Sequence, residues 1–139
     1  MSPQDGATKF LAFHRDEQTA QVLSGAGPTS ARMRPFMPDQ HREFFSLLPY
    51  LFVGAADGQG WPVASVLPGA PGFVQSPDPV TLHIDGLADA GDPAASGLAI
   101  GRDVALLGLD LTTRRRNRAN GQVAAVDGQG LSVRVTQSF

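Results

Sequence analysis

The 139-residue sequence has no cysteine, which excludes thiol nucleophiles, cysteine-ligated zinc and disulfide cross-links. It has one lysine, Lys9, among 11 basic residues, so its positive charge is almost entirely guanidinium. That bias favours forked recognition of phosphate or carboxylate over diffuse point charge. No apolar run approaches membrane-spanning length, and "MSPQDGATKF" lacks the basic-then-apolar layout of a signal peptide. A soluble cytoplasmic protein with no membrane partner is expected. The phosphate-cradling Gly-Lys-Ser/Thr loop and the Gly-x-Ser-x-Gly elbow are both missing, so hydrolytic nucleophile chemistry has no support. The three histidines, His14, His41 and His83, lie too far apart for a helical metal pair, and no metal is expected.

A hydrophobic content of 42% against 17% charged residues describes a globular chain able to bury one core. The net charge of −2 gives a polyanion nothing to hold overall, so any such attraction must come from a local patch. Residues 1–38 read as an irregular arm, with Gly, Pro and Ser at loop density in "LSGAGPTSARMRPFMP" and room for a short helix from Phe10 to Leu23. The strongest helix signal is "MPDQHREFFSLLPYL", with Asp39 as its expected cap and Pro49 ending it. Phe44, Phe45 and Leu48 share one face, as in a helix packed on a sheet.

From Leu51 onward strands and turns take over. "LFVGAA-DGQG-WPVASVL" reads as a hairpin, "GFVQS" and "VTLHID" as strands about the turn "PDP". "LADAGDPAASGLAIG" is a loop with at most one helical turn, and "RDVALLGLDL", "RRNRANGQVAAV" and "LSVRVTQSF" complete the strands. "DGQG" occurs twice, at 57–60 and 127–130, a repetition that hairpin chemistry accounts for without internal duplication. About seven short strands with one or two helices point to an antiparallel barrel or sandwich.

The concentrated feature is "LTTRRRNRANGQV", four arginines within five residues and no acid. In an extended chain Arg114, Arg116 and Arg118 share one face, while Arg115, Asn117 and Ala119 take the other. A solvated strand edge, a small-anion site and a nucleic-acid face all remain open on this pattern. The last is weakened because no base-stacking aromatic interrupts the run, and no nucleic-acid partner is expected.

The segment from "HREFFSLLPYLFVGAADGQGWPVASVLPGAPGFVQSPDPVTLHID" to "LLGLDLTTRRRNRANGQV" resembles the pyridoxamine 5′-phosphate oxidase-like family of flavin-binding split barrels, in its uncharacterised FMN-binding branch. The resemblance spans about residues 39–139. It implies a mainly β chain with short helices: a six-stranded antiparallel split barrel that forms a homodimer and holds FMN at the subunit interface. Matching positions would place Ser65, Val66 and Leu67 along the flavin, and His83 and Ile84 near its ring or ribityl chain. "RANG" matches the family's Arg-x-Asn-Gly pattern and marks Arg118, with Arg116 and Arg114 upstream as further cofactor contacts.

Vitamin B6 oxidases carry an Arg and a Lys on the early strand for the FMN phosphate, whereas "VASVLPG" has neither. The three arginines are therefore expected to supply that charge. Relatives also continue past "VRVTQSF", including a Gly-Asn-Cys-Pro stretch and more helix, so a barrel element, the partner contact or part of the site is expected beyond Phe139. The implied function is flavin-dependent oxidation or reduction of an unknown small molecule, with hydride acceptance at flavin N5 followed by reoxidation. Trp61 is a candidate flavin wall or a packing residue. A non-catalytic flavin or anion holder is the alternative, ahead of a nucleic-acid-binding barrel.

Overall fold

The computed structural model describes residues 14–26 and 32–139. Strand-forming alternation and Asp-Gly turns give seven strands: β1 (Tyr50–Ala56), β2 (Pro62–Pro68), β3 (Val74–Asp78), β4 (Thr81–Ile84), β5 (Asp103–Asp110), β6 (Arg115–Val126) and β7 (Leu131–Ser138). They form one antiparallel sheet in the order β2-β1-β5-β6-β7-β4-β3. Leu67 from β2 at one end and Val74 from β3 at the other belong to the same buried cluster, so the sheet curls around a shared core. The seven strands and their chain order are those expected from alternation and turns, one strand more than the six that the family resemblance implies.

Both "DGQG" turns use one device. The Asp57 carboxylate accepts from the backbone N–H groups of Gln59 (2.8 Å) and Trp61 (2.9 Å). Asp127 accepts from Gln129 and Gly130, each at 2.8 Å. The shared sequence thus reflects a shared local demand, a side-chain oxygen that satisfies donors the ladder leaves free. Trp61 lies at the tip of the first hairpin and is 67% exposed.

Helix α1 (Arg15–Leu23) carries no buried residue, and His14 caps it, with Glu17 returning a bond to the cap backbone. The stretch from Phe10 to Phe13, included in the expected helix, lies outside the described residues. Helix α2 (Asp39–Ser46) packs on the barrel through Phe44 and Phe45. Asp39 is its first residue and not its cap. Pro38 holds that position without a side-chain bond, and the Asp39 carboxylate pairs instead with Arg42 at 3.3 Å. Arg42 also donates to the Ser76 hydroxyl (3.0 Å) and backbone carbonyl (2.9 Å), clamping α2 to β3. Gly108 on β5 lets the helix approach, since a Cβ there would sit 2.6 Å from Leu48 Cδ1 and 2.9 Å from Phe44 Cε1.

The barrel also takes in the segment just before α2, which a boundary at residue 39 assigns to the arm. Met37 is 1% exposed in the core, and its N–H donates to the Pro79 carbonyl at 2.8 Å. Arg34 and Ser138 exchange backbone bonds of 2.9 and 2.8 Å as an isolated antiparallel bridge. That bridge carries the arm's arginines to the end of β7, where the site forms.

Candidate functional site: an arginine cleft

β5 and β6 pair so that Leu107 faces Arg118 and Leu109 faces Arg116 across the ladder. On the neighbouring side Arg118 and Phe139 exchange backbone bonds of 2.9 and 3.3 Å, and the Arg118 guanidinium lies 4.8 Å from the Phe139 ring centroid. The bridge to Ser138 adds Arg34, while α2 contributes His41. Together Arg32, Arg34, His41, Leu107, Leu109, Arg116, Arg118 and Phe139 line a cleft of about 680 Å³. That volume falls within the range of small-molecule sites.

The charge balance of the cleft is one-sided. Among the described residues, none of the four guanidiniums is paired with a carboxylate. His41 Nδ1 lies 3.0 Å from the fully buried Ser138 hydroxyl. Burial, with help from the Arg34 and Arg115 charges, holds its pKa below the ordinary imidazole value. Converging forked donors without counter-charge, beside apolar Leu107, Leu109 and Phe139, suit a ligand with an anionic end and a flat apolar body.

Arg116 and Arg118 therefore meet as the alternation predicts, but Arg114 does not join them. It lies in the turn before β6 with φ of +57°, outside the extended stretch. Asp110 builds that turn: its carboxylate accepts from the Thr112 N–H (3.0 Å), the Thr112 hydroxyl (2.6 Å) and the Thr113 hydroxyl (2.8 Å). These bonds pull its pKa down to about 2. Arg115 points away from the cleft, with its guanidinium 4.8 Å from the Phe44 ring centroid.

The other positions marked in the sequence are spread through the barrel. Leu67 (1% exposed) and Ile84 (0%) are core side chains, so neither side chain is open to a ligand. Val66 alternates outward and is 46% exposed on β2. The Ser65 hydroxyl donates to Asp92, fastening the loop after β4 to β2 and lowering the Asp92 pKa. His83 bridges Ser132 (Nδ1, 3.0 Å) and Asp85 (Nε2, 3.0 Å) on β4 and its surroundings. None of these residues lines the arginine cleft.

Arg32, Arg34, His41 and Phe139 are functional candidates that the sequence pattern alone does not mark. A faint signal is present: Arg32 and Arg34 stand two apart, the spacing that shares a face in extended chain.

A second, shallower hollow of about 600 Å³ adjoins the cleft at Arg118. Its floor follows the register across the sheet, from Gly54 through Ala105 to Asn120. The Asn120 side-chain N–H donates to Gln137 at 3.1 Å, while its carbonyl oxygen is buried without a partner among the described residues.

Solved structures with a similar course of the chain decide the fold. A candidate pyridoxamine 5′-phosphate oxidase from Lactobacillus delbrueckii superposes with a TM-score of 0.58 at 14% identity, covering 76% of this chain and 95% of its own. HupZ of Group A Streptococcus matches with a TM-score of 0.56 at 12% identity, over 74% of this chain and 93% of its own. A single-substitution variant of HupZ gives 0.56 at 11% identity, over 74% and 98%. The fold is that of the pyridoxamine 5′-phosphate oxidase-like split barrels. No protein-family profile and no curated protein sequence matches the chain. In this split barrel the arginine cleft is built from β5, β6, the end of β7, α2 and the segment before it. No helix among the described residues is long and apolar enough to cross a membrane.

Proposed function

We propose that the chain binds FMN through the arginine cleft and acts as a flavin-dependent oxidoreductase on a small molecule. The observation that carries this reading is four guanidiniums without carboxylate partners among the described residues, beside an apolar lining on the outer face of β5 and β6 in a split barrel. Arg116, Arg118, Arg32 and Arg34 would hold the phosphate with paired, charge-assisted hydrogen bonds. Leu107, Leu109 and the Phe139 ring would exclude water from the ligand's apolar part. Bound flavin supplies hydride chemistry, and the protein contributes binding, orientation and electrostatics. The cleft arginines would also stabilise negative charge gathered on a reduced ligand.

The cleft's own side chains offer little acid or base chemistry. His41 is the one imidazole among the lining residues, and burial together with the Arg34 and Arg115 charges favours its uncharged ring. This observation favours a second reading, the same cleft serving as a non-catalytic holder of flavin or another anionic ligand. A homodimer belongs to the first reading, with the exposed Val66 side of β2 as the face for a second copy.

Purified protein should be yellow or take up added FMN, with bound flavin identified after release by chromatography. A colourless protein that leaves added FMN free in solution overturns both readings. Reduction of bound flavin by NADH or NADPH in a stopped-flow instrument supports the oxidoreductase. Tight binding without reduction by either favours the holder.

A further inference from the structure

We infer that His41 is a direct contact for the bound anion, and that it takes up a proton when an anion enters the arginine cleft. The inference rests on the reading of the cleft as an anion site, and it adds a titrating group that selects for the charge of the ligand.

His41 lines the cleft with Arg32 and Arg34 from the preceding segment and Arg116 and Arg118 from β6. Arg115 acts on it from the other side of β6. On its own helix, Asp39 is paired with Arg42, while Glu43 borders a different hollow with Gln40, Phe44 and Arg115. Every charged side chain that lines the cleft among the described residues, apart from the imidazole itself, is thus a guanidinium, which favours the neutral ring.

The Ser138 hydroxyl makes the protonated form available. It is fully buried, 3.0 Å from Nδ1, and a hydroxyl serves as donor or acceptor. With neutral His41 it can donate to Nδ1. With the imidazolium it accepts from Nδ1–H; Nε2–H can donate to an anion in either state, and the imidazolium adds a positive charge to that contact. No rearrangement of the backbone is needed, because Ser138 is held by its two bonds to Arg34. Burial first, and then the Arg34 and Arg115 charges, favour the neutral ring; an anion among the guanidiniums offsets the charge contribution, so binding and protonation reinforce one another.

Linkage fixes the sign. Between the imidazole pKa of the free protein and the higher one of the complex, affinity rises as pH falls, by up to about tenfold per unit. Below both values the dependence disappears. A dianion gains more from the added charge than a monoanion, so phosphate monoesters are favoured over single carboxylates.

The test is isothermal titration of the full chain with sodium sulfate between pH 6 and 8, in pairs of buffers with different protonation enthalpies. Sulfate stays dianionic throughout, so any protons exchanged belong to the protein. The wild type should take up protons as it binds sulfate and should bind it several-fold tighter at pH 6 than at pH 8. His41→Gln should bind sulfate with no uptake and a flat pH profile. In the wild type, the His41 ring resonance should titrate at higher pH when sulfate is present, a readout that does not depend on the variant folding. Sulfate binding without proton uptake, or uptake unchanged in His41→Gln, overturns the role of His41 while leaving the arginine cleft intact. Absence of sulfate binding to the wild type overturns both.

Discussion

Arg115 and Arg116 are consecutive in the chain yet leave β6 on opposite sides: the Arg115 guanidinium stacks 4.8 Å from the Phe44 ring centroid, while Arg116 lines the cleft with Arg118. The parity of an extended strand is the whole cause. One arginine contributes to the packing of α2, and its neighbour contributes to a charged site. Phe44 is buried while Arg115 is exposed, and a solvent-exposed cation over a ring is worth roughly 0.5–1 kcal/mol, so Arg115→Ala should lower stability by about that amount in urea denaturation.

Arg114 illustrates a different local constraint. Its φ of +57° is a conformation in which a Cβ crowds the following carbonyl. Arg114→Gly removes that crowding at the cost of a more flexible unfolded chain, so the two effects largely offset. The expected result is a stability change between zero and about +1 kcal/mol. Arg114→Val should be destabilising in the same assay, because a β-branched residue tolerates this region least. Loss of stability in the glycine variant larger than in the valine variant contradicts the assignment of this turn.

The same turn predicts an acid titration. Asp110 has a pKa of about 2, pulled down first by the Thr112 and Thr113 hydroxyls. A folded pKa below the unfolded value of 3.8 means that the carboxylate's contribution is complete above that value. It is lost as pH falls through about 2. Carboxyl NMR should show the Asp110 midpoint near 2 in the wild type, shifted upward in a Thr112→Val, Thr113→Val double variant. An Asp110 midpoint near 4 in the wild type contradicts the turn geometry.

Two glycines should respond unequally to alanine. At Gly121 a Cβ would fall 1.9 Å from the Arg134 carbonyl oxygen, a backbone atom of the paired strand that cannot move alone. At Gly108 it would meet the ends of the Leu48, Phe44 and Phe45 side chains, which have some freedom to repack. Gly108→Ala should cost about 1–3 kcal/mol, the range for an overpacked core. Gly121→Ala should cost more, with a matching loss of soluble yield. Equal losses in a denaturation series run against this account of the β6–β7 register.

The strands are legible in the sequence because alternation and Asp-Gly turns are local signals, and the burial of Phe44, Phe45 and Leu48 follows from helical spacing. Which face of a strand looks inward is harder to read. The family resemblance marks Val66 and Leu67 together as ligand contacts, yet adjacent strand residues point apart, and Leu67 goes to the core. Grouping Arg114 with Arg116 and Arg118 relies on a strand parity that begins only at Arg115. The cleft itself is half visible: Arg116 and Arg118 carry a local pattern, but Arg34 and His41 reach them through the Arg34–Ser138 bridge and the docking of α2. Such long-range pairings leave no periodicity in the chain.

The central claim is that the cleft face of β6 holds the anionic ligand. Its most direct test is a fluorescence titration of FMN with the wild type, Arg115→Ala, Arg116→Ala and Arg118→Ala, all at one salt concentration. Removing one charge-assisted phosphate contact should cost about 1.5–3 kcal/mol, roughly 10- to 150-fold in Kd. Arg116→Ala and Arg118→Ala should each weaken binding on that scale, while Arg115→Ala stays within about threefold of the wild type. Equal weakening in all three variants, or loss confined to Arg115→Ala, contradicts the account.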